Sequence, residues 1–233
     1  MKKPTKTQSA GMPPIHAQMV DHLSAGLKPA TVIAPPWVQW ILWAILAAIL
    51  TGMAIDWFPL RADLGENLAL LPFDGLLLCL FGGALLAAWG AIESSVPAEE
   101  PKGRRKILAA LGLGCGAFIL FLLFLPWQMG HYMDHTSRLP CFVVVLVSGS
   151  VIWFPLAFLI SKNAPLNPAR AGFGAGVAAF LMGSAIITLH CDSRDLGHIL
   201  VEHFLPVLAY SYLVSWAGIF WLSRWKRKFS VRK

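Results

Sequence analysis

Five of the seven histidines and two of the four cysteines of this 233-residue chain fall in two short polar stretches. The first, MGHYMDHTSRLPC, carries Met129, His131, Met133, Asp134, His135 and Cys141. The second, LHCDSRDLGHILVEH, carries His190, Cys191, Asp192, Asp195, His198, Glu202 and His203. Thiolate, thioether and imidazole together suit soft or borderline metals such as copper, zinc or cadmium, whereas carboxylates alone would suit harder ions. The spacing identifies no known centre. HILVEH has three residues between its histidine and its glutamate, one more than the inverted zinc-protease motif allows, so no peptidase is implied. Taken singly, each histidine reads as a solvated loop residue. The two cysteines ask for more, since they can share a metal or pair, and a purely structural disulfide is the plain alternative.

The rest of the chain must hold these residues in a membrane. At 57% hydrophobic and 13% charged residues, a chain of this size carries more apolar surface than one soluble core can hide. Apolar windows of about 19 residues, each able to cross about 30 Å of hydrocarbon, are read near 37–55, 73–92, 107–127, 142–161, 172–190 and 204–223. The expectation is an all-α integral membrane protein, a six-transmembrane-helix bundle with short loops. Residues 1–36 form a cytoplasmic N-terminal segment, 37–223 the transmembrane domain and 224–233 a basic cytoplasmic tail. Nothing before the first span resembles a removable signal peptide.

With both termini inside, sixteen of the 19 lysines and arginines lie on cytoplasmic segments and only Arg61, Arg138 and Arg194 on the other face, as retention of basic loops requires. The same bias accounts for the net charge of +7 without nucleic acid, and RWKRKFSVRK reads as a topology anchor beside anionic lipid. Trp37, Trp40, Trp89, Trp221 and Trp225 then fall at the inner interface and Trp57 and Trp127 at the outer one. Trp153 falls near mid-depth. Cys79 and Cys115 lie within spans, where a thiol packs as a small apolar group. Cys141 and Cys191 open the fourth span and close the fifth, at one outer level.

Gly112–Gly116 and Gly172–Gly176 each have the G-x-x-x-G spacing that lets helix backbones approach closely in lipid. A phosphate loop would need a preceding strand and a following Lys-Ser/Thr pair, and both are missing. Asp56, Asp74 and Glu93 sit at span ends and leave Gln39, Thr51 and scattered serines inside. This counts against a carrier, which normally needs charged or interrupted helices at mid-depth. In the N-terminal segment, IHAQMVDHLSAGLKPA has helical spacing from Ile15 through Met19, Val20, Leu23 and Leu27 and a stop before Pro29. It suits an interfacial amphipathic helix, or a partner helix laid into a groove.

Six spans with both ends inside, the LSAGLKPATVIAPPW that leads into the first, Cys141 opening the fourth, the KNAPLNP turn, the glycine-rich fifth span and the closing LHC together resemble the NrsF family over about residues 23–228. The resemblance implies a bacterial inner-membrane anti-sigma factor, a negative regulator of an extracytoplasmic-function sigma factor and not an enzyme. It implies that the N-terminal segment holds the sigma factor in the cytoplasm, with Met19, Val20, Leu23 and Leu27 as contacts, and that no direct nucleic-acid contact is made. The family's paired periplasmic cysteines fall on Cys141 and Cys191 as signal-sensing residues. No cofactor is required. A thiophilic ion such as copper, cadmium or zinc, or an oxidant, is the implied signal, with His190, His198, His203, His131 and His135 as candidate added ligands. The rival readings are a metal-handling permease and a membrane thiol oxidoreductase. The latter usually has a C-x-x-C pair, which this chain lacks.

Overall fold

The computed structural model describes residues 34–68, 71–96, 112, 116, 141–163, 165, 167–193 and 198–221. The described residues from Ala34 on belong to one compact unit. The expected N-terminal helix with Met19, Val20, Leu23 and Leu27, the stretch with His131 and His135, and the basic tail lie outside the described residues. So does the expected span 107–127, apart from Gly112 and Gly116, which are helical.

Among the described residues, five helices are long and apolar enough to cross a membrane. The first, α1 (Pro36–Trp57), starts where Pro35 and Pro36 supply a fixed φ at a position that needs no N–H donor. A short turn of helix, α2 (Leu64–Asn67), separates it from α3 (Leu71–Ser95). Two long helices follow, α4 (Cys141–Lys162) and α5 (Pro168–His190). The Asn167 side chain caps α5 by accepting from the Arg170 N–H. The last span begins as a π-helical turn, Ile199–Phe204, and continues as α6 (Leu205–Trp221). Five of the six expected spans correspond to these helices with ends moved by a few residues, and the other, 107–127, lies outside the described residues apart from Gly112 and Gly116. The largest difference is at the last one, which starts at Ile199 instead of 204.

The bundle is built around α5. About 72% of its apolar stretch is buried, against 22–39% for the other four. Its sequence explains why, because alanine, glycine and serine recur along PARAGFGAGVAAFLMGSAIITLH and let three neighbours lie against its backbone. A Cβ on Gly174 would stand 3.1 Å from that of Ala91 on α3, and one on Gly176 would stand 2.8 Å from the Ser211 Cα on α6. On Gly183 it would meet the Val145 carbonyl of α4 at 2.8 Å. The outer helices turn large apolar residues outward at helical spacing, Val143, Val147, Val151, Phe154 and Phe158 on α4 for example. That stripe belongs against lipid chains.

Among the described helices α1 and α5 run one way and α3, α4 and α6 the other, so the bundle has two distinct ends. At one, Arg61 is buried, binds Asp63 through Nε and Nη2 at 2.6 and 3.0 Å, and stacks over Phe73. Its backbone N–H donates to the Leu189 carbonyl at 3.1 Å, fastening the α1–α2 connection to the end of α5 beside Cys191. At the other end, the Gln39, Ser95 and Asn163 side chains join the start of α1 to the ends of α3 and α4. Trp40 and Trp89 lie edge to face at that end, 5.8 Å apart, as their shared interfacial level predicts. Trp153 reaches toward it as well, with its ring 5.9 Å from that of Trp221.

Candidate functional site

Cys141 is the first residue of α4, and its neighbour's N–H needs a partner from outside the helix. Glu202 provides it, since its Oε2 accepts from the Phe142 N–H at 3.1 Å. A carboxylate at a helix N-terminus is also favoured by the helix dipole. Cys191 is the residue that ends α5. Its N–H still donates to Ile187, at 2.8 Å, while its own backbone is already extended. Close packing of α4 on α5 at Gly183 brings these two helix ends together. The Cys141 S–H donates to the Cys191 sulfur at 3.6 Å. A disulfide needs about 2.05 Å, and both residues are free cysteines.

Two imidazoles complete the cluster. The His198 Nε2 lies 3.3 Å from the Cys191 sulfur, and the His203 ring lies 5.5 Å from that of His198. In an α-helix, residues five apart point about 140° away from each other at 3.6 residues per turn. The π-turn over Ile199–Phe204 is wider, with i→i+5 bonding, and so brings positions 198 and 203 to one side. One ligand atom from each of Cys141, Cys191, His198 and His203 lies within 4.8 Å of all the others. Tetrahedral bonds of about 2.0–2.3 Å put ligand atoms about 3.3–3.8 Å apart. The 3.3 and 3.6 Å separations already match, and the widest pair needs to close by about 1 Å. Cys141, Cys191 and His203 are buried at 4%, 7% and 2% exposure, so little water competes.

Hydrogen bonding prepares His203 in particular. The Thr188 hydroxyl donates its one proton to the Ser184 carbonyl at 2.8 Å, so toward the His203 Nδ1, at a long 3.4 Å, it can only accept. That network assigns the proton to Nδ1 and leaves a bare lone pair on Nε2. The Nε2 is buried and has no hydrogen-bond partner. An outer partner that fixes the tautomer is the usual support of a metal-binding histidine. The donated S–H of Cys141 lowers the Cys191 thiol from its ordinary range, and burial opposes this. Of the two sulfurs, Cys191 is the one whose thiolate form is favoured.

The remaining candidates divide. His190 stands outside the four-ligand cluster, with its Nδ1 3.0 Å from the Pro59 carbonyl and its ring against Phe58. His131 and His135 lie outside the described residues. Sequence reasoning missed Thr188 and the capping role of Glu202. The only signal for Thr188 is its spacing of three before Cys191, which puts it on the same helical turn.

A family model described as "Negative regulator of sigma F" (NrsF) matches residues 23–225. The chain belongs to the NrsF family. This makes it a negative regulator of a sigma factor, in a family of regulators. Searches of the curated proteins and of the solved structures give no match.

Proposed function

We propose that this NrsF-family chain is an inner-membrane anti-sigma factor that releases an extracytoplasmic-function sigma factor when a thiophilic metal or an oxidant engages Cys141 and Cys191. The observation that carries the sensing role is the cluster itself. Two sulfurs fifty positions apart in sequence lie 3.6 Å apart with two imidazoles beside them. The N-terminal segment holds the sigma factor in the cytoplasm, with Met19, Val20, Leu23 and Leu27 as its apolar contacts. Orientation is supported by charge, since Lys162 and Arg170 mark the end opposite the cysteines and Arg61 at the cysteine end is neutralised by Asp63. The cluster then faces the periplasm and both chain termini face the cytoplasm.

Copper, cadmium and zinc fit the ligand set of two sulfurs and two imidazoles, with His198 and His203 as the added ligands. An oxidant acts differently, taking two electrons from the pair and releasing the one proton held between the sulfurs as a disulfide closes. In either case the ligand must favour the releasing state, because equal affinity for both states shifts nothing. Moving from 1% to 99% released takes about 5.5 kcal/mol. Structural metal sites supply about 10 kcal/mol or more, so even a partly preformed cluster has enough.

The test uses full-length protein in native membranes. Wild type should capture a sigma factor and lose it on cadmium addition, while C141S and C191S should capture it and hold it. Full cadmium-induced release from both variants would end the sensing role, and failure of the wild type to capture any sigma factor would end the partner assignment.

A further inference from the structure

At the end of the bundle opposite the cysteines, two buried amides and a hydroxyl form a closed hydrogen-bond set. Gln39, Ser95 and Asn163 are 3%, 0% and 1% exposed. The Gln39 Nε2 donates to the Ala34 carbonyl at 2.7 Å and to the Asn163 Oδ1 at 3.1 Å. The Asn163 Nδ2 donates to the Gln39 Oε1 at 2.9 Å and to the Ser95 Oγ at 2.6 Å. Ser95 passes its own proton to the Ile92 carbonyl at 2.6 Å. Both amides thereby use every donor and their oxygen, and turning either one over would set like atoms against each other. The set has one orientation.

Apolar side chains of similar size would fill this space at little cost, because replacing both partners of a hydrogen bond together is often nearly neutral. What the amides add is direction. Asn163 directly follows α4, whose first residue is Cys141, about 33 Å away at 1.5 Å per residue. Gln39 lies in the first turn of α1, and its second bond ends on Ala34, where residues 1–33 join the bundle. Only 22% of the apolar stretch of α1 is buried. Among the described residues, the side-chain hydrogen bonds from α1 to the α4 segment are this pair and the 3.4 Å bond from the Trp43 Nε1 to the Ile152 carbonyl.

We propose that Gln39, Asn163 and Ser95 are positioning residues that form the output joint of the regulator. A shift of α4 set at its Cys141 end is passed through Asn163 to Gln39 and the Ala34 backbone, and so to the segment that holds the sigma factor. This rests on the sensing role given to Cys141 and Cys191 under Proposed function. The joint itself needs no sigma factor in order to be tested.

The experiment places an environment-sensitive fluorescent residue at position 37, an exposed tryptophan two residues before Gln39, in the full-length protein in lipid nanodiscs. Cadmium chloride is titrated while sulfur-to-cadmium charge-transfer absorption reports occupancy of the cluster. Wild type should show binding and an emission shift at position 37. The Gln39→Leu/Asn163→Leu double variant should still bind cadmium, with a midpoint moved by no more than the roughly 5–150-fold of ordinary coupling between linked sites, yet lose most of the emission shift. Ser95→Ala, which removes the acceptor of the Asn163 Nδ2 and the donor to the Ile92 carbonyl but leaves the two amides paired, should fall between the two, and it decides the matter if the double variant does not reach the membrane. An unchanged shift in these variants overturns the joint, as does a wild type that gives no shift at position 37. Loss of cadmium absorption in the wild type would instead identify the sensing role as the failure. Capture of the sigma factor, measured separately, bears on the anti-sigma reading alone.

Discussion

Thr188→Val is the most informative single change at the cluster, because it keeps the size and shape of a side chain that is 7% exposed and removes only the hydroxyl. The Ser184 carbonyl loses one of two donors, which a helix tolerates. The His203 Nδ1–H loses its acceptor, and nothing then fixes the tautomer that leaves Nε2 bare. Loss of such an outer partner typically lowers metal affinity by about 10–100-fold, which is about 1.4–2.7 kcal/mol at 1.36 kcal/mol per factor of ten. Full release needs about 5.5 kcal/mol of differential binding, so the variant should still respond. Its cadmium midpoint should move up by about 10–100-fold, both in charge-transfer absorption and in sigma-factor release. Thr188→Ser restores the hydroxyl and should return the midpoint most of the way. Midpoints for Thr188→Val within about twofold of wild type would refute the argument that hydrogen bonding prepares His203. Equal shifts for the valine and serine variants would assign the effect to packing.

Proton release tests the state of Cys191. Since its thiol is lowered and the Cys141 S–H is the proton held between the sulfurs, cadmium binding at pH 7.5 should release about one thiol proton per ion, and about two if both were ordinary thiols; calorimetry in buffers of different ionisation enthalpy counts them. For the same reason, a small alkylating reagent should modify Cys191 at a rate that persists as pH falls below the ordinary thiol range, while an ordinary thiol loses reactivity there. Gly183→Ala should force α4 and α5 apart, lower stability by about 1–3 kcal/mol in a thermal melt and weaken cadmium binding, because it acts where the two cysteine-bearing helices touch. Asp63→Asn leaves the buried Arg61 guanidinium without its counter-charge and should lower stability by about 1.5–3 kcal/mol, read from the same melt, with the cadmium midpoint the more sensitive measure.

Hydropathy placed the described spans well because lipid imposes a simple length rule, and helices such as Pro36–Trp57 and Cys141–Lys162 obey it. The pairing of Cys141 with Cys191 was legible from topology, since alternating spans put both at one level. The histidines were harder to read. His190 is nearest Cys191 in sequence but turns to Pro59, whereas His203 is twelve positions away and joins the cluster. An α-helical reading of HILVEH separates its two histidines, and no residue pattern announces the π-turn that unites them. Asn163 sits in a turn that reads as ordinary polar loop, and Gln39 as an isolated polar residue at a span end. Their partnership across 124 positions has no local signature at all.

The crowding around α5 also bears on how the protein is made. A span with so many alanines and glycines packs closely only once its neighbours lie against it. Two of those neighbours, α3 and α4, precede it. The third, α6, is synthesised after it, and the π-turn that leads into α6 brings Glu202 and His203. A chain halted before residue 199 would leave Gly172 and Gly176 without the helix that covers them, and Cys191 without one of its imidazoles. The ligand cluster is therefore completed only after α6 has docked, so its assembly reports that α5 has been covered.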